Sequence, residues 1–203
     1  MSVVSANNNV LSAITALPSS VSGGSMNLIS TQTASGSANL SFTSGIDSTY
    51  KEYVFKFINI HPADNDRYWS VNFSIDGGSN YNVAKTSTNF NTGHSESGGS
   101  PSVGYEDAFD LAQGTGVQWL VSGGGIGNGA DESLSGTLQL FDPSNTTFVK
   151  HFIANCQWYH AGNNSHNTFC AGYGNTTSAI NAVQFTMHSG NIGSGVVKLY
   201  GIS

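Results

Sequence analysis

Two cysteines and three histidines crowd one stretch of the chain. They read Cys156-x3-His160-x5-His166-x3-Cys170, with His151 just upstream. Structural zinc asks for four soft or borderline ligands in a tetrahedron, usually from tight pairs of like ligands. Each close pair here is mixed, and the two pairs flank the hairpin loop Ala161-Gly162-Asn163-Asn164. Positions on two paired strands can converge, so the spacing admits a metal. Buried thiols and solvated loop histidines account for the same residues with less. The sequence is therefore read as carrying no metal and no cofactor. A disulfide between Cys156 and Cys170 would close a loop of about 15 residues, worth roughly 3 kcal/mol in the chain-entropy view. With no secretory leader legible in MSVVSANNNV, two reduced and buried thiols are the expectation.

The remaining constellations are weaker. Glu106, Asp107 and Asp110 form one acidic group, and Asp131 and Glu132 another. Two carboxylates facing one cleft could hydrolyse a glycoside, yet loop acids of this kind usually only solvate a surface. Asp64-x-Asp66 lacks the spacing of a calcium loop and reads as a turn. Gly125-x-Gly127-x-x-Ala130 imitates a dinucleotide fingerprint, but LSGTLQLF follows it, a strand where a helix is required. No Gly-Lys pair and no G-x-S-x-G occur, so neither a phosphate loop nor a nucleophile elbow is present. Trp69, Trp119 and Trp158 sit inside apolar strands and read as core. Tyr105, Asn128, Tyr159 and Asn163 border loops and are the candidate ligand contacts. No catalytic residue is assigned.

What positions these residues is a run of strands. Val183, Phe185 and Met187 alternate with Gln184, Thr186 and His188, the period of a half-buried strand. Gly190, Asn191, Gly193 and Gly195 supply turn chemistry, and Val197 and Leu199 resume the apolar face. The two arms are expected to pair as an antiparallel hairpin, with the last strand inside a sheet. Upstream, strands are expected at 26–32, 39–43, 50–60, 68–75, 117–121, 134–141, 148–159 and 168–173. Asp76-Gly77-Gly78-Ser79 reads as a hairpin turn. Residues 89–101 and 122–131 read as long polar loops. The fold expected is all-β, an antiparallel β-sandwich of jelly-roll type over residues 26–203, preceded by an extended or partly helical N-terminal arm at 1–25.

Composition bounds the partners. Charged residues make up 9% of the chain, against about 25% in ordinary domains. The net charge of −6 with six Lys and Arg argues against nucleic acid. No basic amphipathic stretch and no apolar run of membrane-spanning length point to a membrane. Residues 1–46 carry no charged side chain, so Val3, Val4, Val10, Leu11, Ile14 and Leu17 must pack on the chain's own domain or on a neighbour. The neighbour is the favoured choice.

SIDGGSNY (74–81), ESLSGTLQLFDPSN (132–145), AGYGNTTSAINAVQF (171–185) and HSGNIGSGVVKLYGI (188–202) carry a resemblance. Over residues 37–202 the chain resembles the short jelly-roll virion proteins of tailed bacteriophages, marine and cyanobacterial ones above all. The ending SGNI-x-SG-x-x-x-LYGI is the most specific part. The resemblance implies a non-enzymatic structural protein of the virion, assembled in the host cytoplasm. Its expected role is capsid decoration, bracing the major capsid protein as a homotrimer. The alternative it implies is a tail-fibre or receptor-binding module for host surface glycans. It implies no catalytic residue.

Overall fold

The computed structural model describes residues 26–99 and 101–203. The arm residues Val3, Val4, Val10, Leu11, Ile14 and Leu17 lie outside them. The described strands are β1 (Met26–Ser37), β2 (Leu40–Phe42), β3 (Glu52–Pro62), β4 (Trp69–Ser74), β5 (Lys85–Ser95) and β6 (Ser102–Tyr105). They continue with β7 (Gln118–Trp119), β8 (Leu134–Phe141), β9 (Lys150–His160), β10 (Asn164–Gly174), β11 (Ala182–Met187) and β12 (Ile192–Ile202). Among the described residues a single 3₁₀ turn spans Asp107–Phe109. The strands form an antiparallel β-sandwich. One sheet has the order β1-β12-β3-β8-β9-β10-β5-β6, the other β2-β11-β4-β7.

The ladders follow a nested order: β1 pairs β12, β2 pairs β11, β3 pairs β8 and β4 pairs β7. Early strands thus meet late ones. The insertion β5–β6 and the hairpin β9–β10 widen only the first sheet. Period-2 alternation decides which side chains fill the space between the sheets. Tyr53, Phe55 and Phe57 of β3 point inward against Trp69, Val71 and Phe73 of β4, all essentially buried. Phe185 lies at the centre. Its ring stacks on Trp69 at 5.5 Å and 7°, and meets Phe55 and Phe57 edge-on at 5.1 Å.

Beyond the reach of the smaller sheet, the inner face turns polar. Ser87, Asn89, Asn91 and Thr168 are buried there. They are satisfied by the covering segment 107–122: Ser87 Oγ donates to Gln118 Oε1 at 2.6 Å, and Ser122 Oγ donates to Asn89 Oδ1 at 3.1 Å. Such pairing is what lets polar groups leave water at little cost.

Several expectations need correction. β11 and β12 do not form a hairpin: they lie in different sheets and face one another across the core. Two alternating strands joined by a turn bury their apolar sides equally well side by side or face to face, and here β2 and β4 already flank β11. The Asp76–Ser79 turn is present, with Gly77 and Gly78 at φ +72 and +91, but it carries the chain from β4 to β5 in the other sheet. Residues 89–95 are strand, not loop, because the amides of Asn89 and Asn91 find buried partners. Gly193, Ser194 and Gly195 lie within β12, where the register with β3 slips, and Gly195 adopts φ +126. The strand expected to 75 ends at Ser74, leaving Ile75 42% exposed, and Trp119, read as core, is only half-buried.

Two outcomes are expected. Phe185→Ala should cost about 3–5 kcal/mol in chemical denaturation, the range for emptying a large aromatic site. Truncation after His188 should abolish soluble folding, since β12 separates β1 from β3. A soluble truncated chain with a cooperative melt would contradict that placement.

Candidate functional site

The outward face of the larger sheet is the most unusual surface. Among the described residues ten large apolar side chains are exposed, and eight lie on this one face: Met26, Leu28, Ile58, Phe90, Val103, Tyr105, Ile153 and Phe169. Register explains the grouping. Phe169 stands opposite Phe90, and Phe90 opposite Tyr105, so three rings cross β10, β5 and β6 in one row. Phe90 and Phe169 stack at 5.0 Å and 14°, yet each stays 43% exposed. Around them the face is neutral. Asn155 and Asn167 exchange amide hydrogen bonds, Asn155 Nδ2 donating at 2.9 Å. The outward residues of β5, β6, β8, β9 and β10 include no Asp, Glu, Lys or Arg.

A groove runs along one end of this face. A cleft of about 480 Å³ is lined by Thr86, Thr88, Phe141, His151, Ile153, Ala171 and Tyr173. Ala171 stands in register between Ile153 and Thr88, and its short side chain leaves the floor low. A second hollow of about 510 Å³ shares Phe141 and His151 and continues over Asn145, Thr147, Phe148 and Val149. Asp142 at its rim is held below the usual carboxylate range by the Asn145 amide and then by Lys51, whose Nζ is 3.0 Å away. The groove's exposed lining is largely apolar, a surface that favours uncharged matter through desolvation and dispersion.

The candidates picked from sequence divide. Tyr105 belongs to the outer face, and its hydroxyl donates to the Asp110 carboxylate. That bond, with burial, raises the tyrosine's pKa. Asn128, Tyr159 and Asn163 gather at the β9–β10 hairpin end. Gly127 N–H donates to Tyr159 O at 3.1 Å, and Asn163, at φ +60, sits at the hairpin tip. Bonding to Glu96, then burial, raises the Tyr159 hydroxyl. The groove residues Phe141, His151, Ile153 and Tyr173 went unselected. The available signal was that Phe152-Ile153-Ala154 and Phe169-Cys170-Ala171 are apolar on both faces of a strand, which one core cannot absorb.

The other constellations disperse. Cys156 and Cys170 are free thiols buried in the core, pushed up by burial, Cys170 to about 12. His166 stacks on Trp158 at 5.2 Å and His160 tilts against it at 5.1 Å, while His151 lies at the opposite end of β9. Among the described residues no group of His, Cys, Asp and Glu is placed to hold a metal. The Glu132 carboxylate takes the Gly129 N–H, and Asp66 Oδ1 takes the Gly125 N–H at 2.8 Å. Glu106 and Asp110 sit beside β5 and are both raised by burial. No family model, no curated protein and no solved structure matches the chain.

Lys85 is the buried ionisable group with the clearest consequence. It is wholly buried, and its Nζ donates to Asn72 Oδ1 at 2.6 Å and to Val83 O at 2.8 Å, both neutral acceptors. Burial lowers its pKa from 10.5 to about 8. Between those values the unfolded chain holds a proton that the folded one has released, so folding is favoured by raising the pH. Below about 8 the folded protein carries the full cost of a buried charge. The expected outcome is a stability difference, parent minus Lys85→Met, that moves in the parent's favour from about pH 8 to about pH 10. Denaturant titrations at several pH values check it, and a flat difference would contradict the shift.

Proposed function

We propose that the chain is a non-enzymatic structural protein of a tailed-phage virion, a jelly roll that decorates and braces the capsid. The observation that carries this reading is the uncharged apolar part of the outer face over β8, β9, β10, β5 and β6, which a protein acting alone in water would keep broken up by charge. A closed cyclic assembly of copies buries such a face once per subunit. The jelly-roll assignment is supported by the nested pairing of β1 with β12, β2 with β11, β3 with β8 and β4 with β7, the order obtained by rolling a long hairpin into two sheets. Jelly rolls serve many functions, so this topology alone argues only by analogy. The resemblance of residues 37–202 to phage virion proteins supports the same reading. On this reading the partners are further copies, as a homotrimer, and the major capsid protein, with the 1–25 arm reaching a neighbour.

A second reading has its own observation. Asn128, Tyr159 and Asn163 gather at one hairpin end among amides and hydroxyls, chemistry suited to neutral sugars. A tail-fibre or receptor-binding module would use that end for host glycans. Imaging labelled particles separates shell from tail.

The assembly reading is tested by light scattering on the purified chain, where a homotrimer is expected. Replacing Phe90 and Phe169 together by Asp should give monomers whose melting temperature stays near the parent's, because both rings lie outside the core. A monomeric parent at micromolar concentration would overturn the reading.

A further inference from the structure

We propose that the groove over Phe141 and His151 is the seat of residues 1–25 from a second copy of this chain. The inference rests on the assembly reading above and adds where the contact is made.

The groove asks for an uncharged, largely apolar occupant in extended form. It continues over the shared pair Phe141 and His151 as two joined hollows. The outward residues of its strands carry no charge, and Asp142 at the rim of the second hollow is paired with Lys51. Residues 1–25 fit that description: they hold Val3, Val4, Val10, Leu11, Ile14 and Leu17 and no charged side chain.

Geometry brings the segment to the right place. It joins the fold at Met26, the first residue of β1. Met26, Ile202, Glu52 and Phe141 stand in one register row, and His151, which pairs Tyr173, lies one residue beyond the Leu140–Phe152 pair of β8 and β9, so the segment joins the sheet at the end that bears the groove. Twenty-five extended residues span on the order of 80 Å. The domain itself has a radius of gyration of about 16 Å, so a neighbouring groove is within range.

A second copy is favoured over the segment's own groove by what lies between. The direct path over the chain's own face runs across Glu52, which no cation pairs among the described residues. Covering it would strip water from that carboxylate with no compensating partner. Among the described residues β1 is an edge strand with no partner on its outer side, and it carries no charge to repel a neighbour. A copy whose β6 side abuts that edge presents its uncharged half to the departing segment.

The test uses the full chain in two differently tagged forms, co-expressed and oxidised. One carries Leu11→Cys or Leu17→Cys, the other Ile153→Cys in the groove. Cys156 and Cys170 are buried and stay silent. The expected result is a disulfide between the two tagged chains, lost when Ile58→Cys, on the same face but outside the groove, replaces Ile153→Cys. Equal yields at Ile58 and Ile153 would overturn the proposal. So would a chain bearing both cysteines that closes only on itself. Light scattering on the same samples separates the two readings. A monomer overturns assembly, whereas an oligomer without the Ile153 product overturns the seat alone.

Discussion

The fold depends on one aromatic contact between its two sheets. Phe185 from β11 lies flat on Trp69 of β4 and receives the edges of Phe55 and Phe57 from β3, so a single ring ties two neighbours in one sheet to a strand of the other. Edge-to-face and offset contacts orient rings as well as burying them. That orientation fixes which rows of β3 and β11 oppose each other. Once those rows are set, the alternation of every flanking strand assigns its side chains to core or solvent. Phe42 and Phe73 extend the same layer toward β2 and β9.

A mismatch in width follows. Four strands cannot cover eight. The uncovered inner half is closed by a covering segment and a layer of amides and hydroxyls, with Gln118 and Ser122 meeting Ser87, Asn89 and Thr168. Each of these groups is bonded, which makes the layer tolerable but demanding, since a lost partner would leave its mate buried and unsatisfied. Lys85 belongs to this region, with its stem packed inside and its ammonium held by neutral oxygens.

The outer half has no such cover. A chain with so few charged residues cannot break up the face of a wide sheet with lysines and glutamates: Lys85 of β5 and Lys150 of β9 are buried, and the other charges lie on β3 and β12 and in the loops. Phe90, Phe169, Tyr105 and Ile153 therefore share a continuous neutral face with Asn, Gln and Thr. The groove at its end arises because a small residue, Ala171, falls in register between larger ones.

Much was legible before any coordinates. Alternation in 134–141 and 182–187 marks strands because a half-buried strand must repeat every two residues, and β8 spans Leu134–Phe141. Scarcity of charge announced a surface on which apolar side chains would stand among neutral polar ones. Pairing was not legible. The same alternation suits a hairpin and a face-to-face packing, so β11 and β12 looked like neighbours when they are opposite walls. The run Asn89 to Ser95 looked too polar for a strand because its buried amides are satisfied by Ser122, a residue far along the chain. The outer face was hidden for a related reason: Phe90, Tyr105, Ile153 and Phe169 come from four strands, and only the register of the sheet sets them side by side. Local sequence dictates period and polarity. Which faces meet is decided by long-range pairing, because the free energy of burial depends on the partner and not on the residue alone.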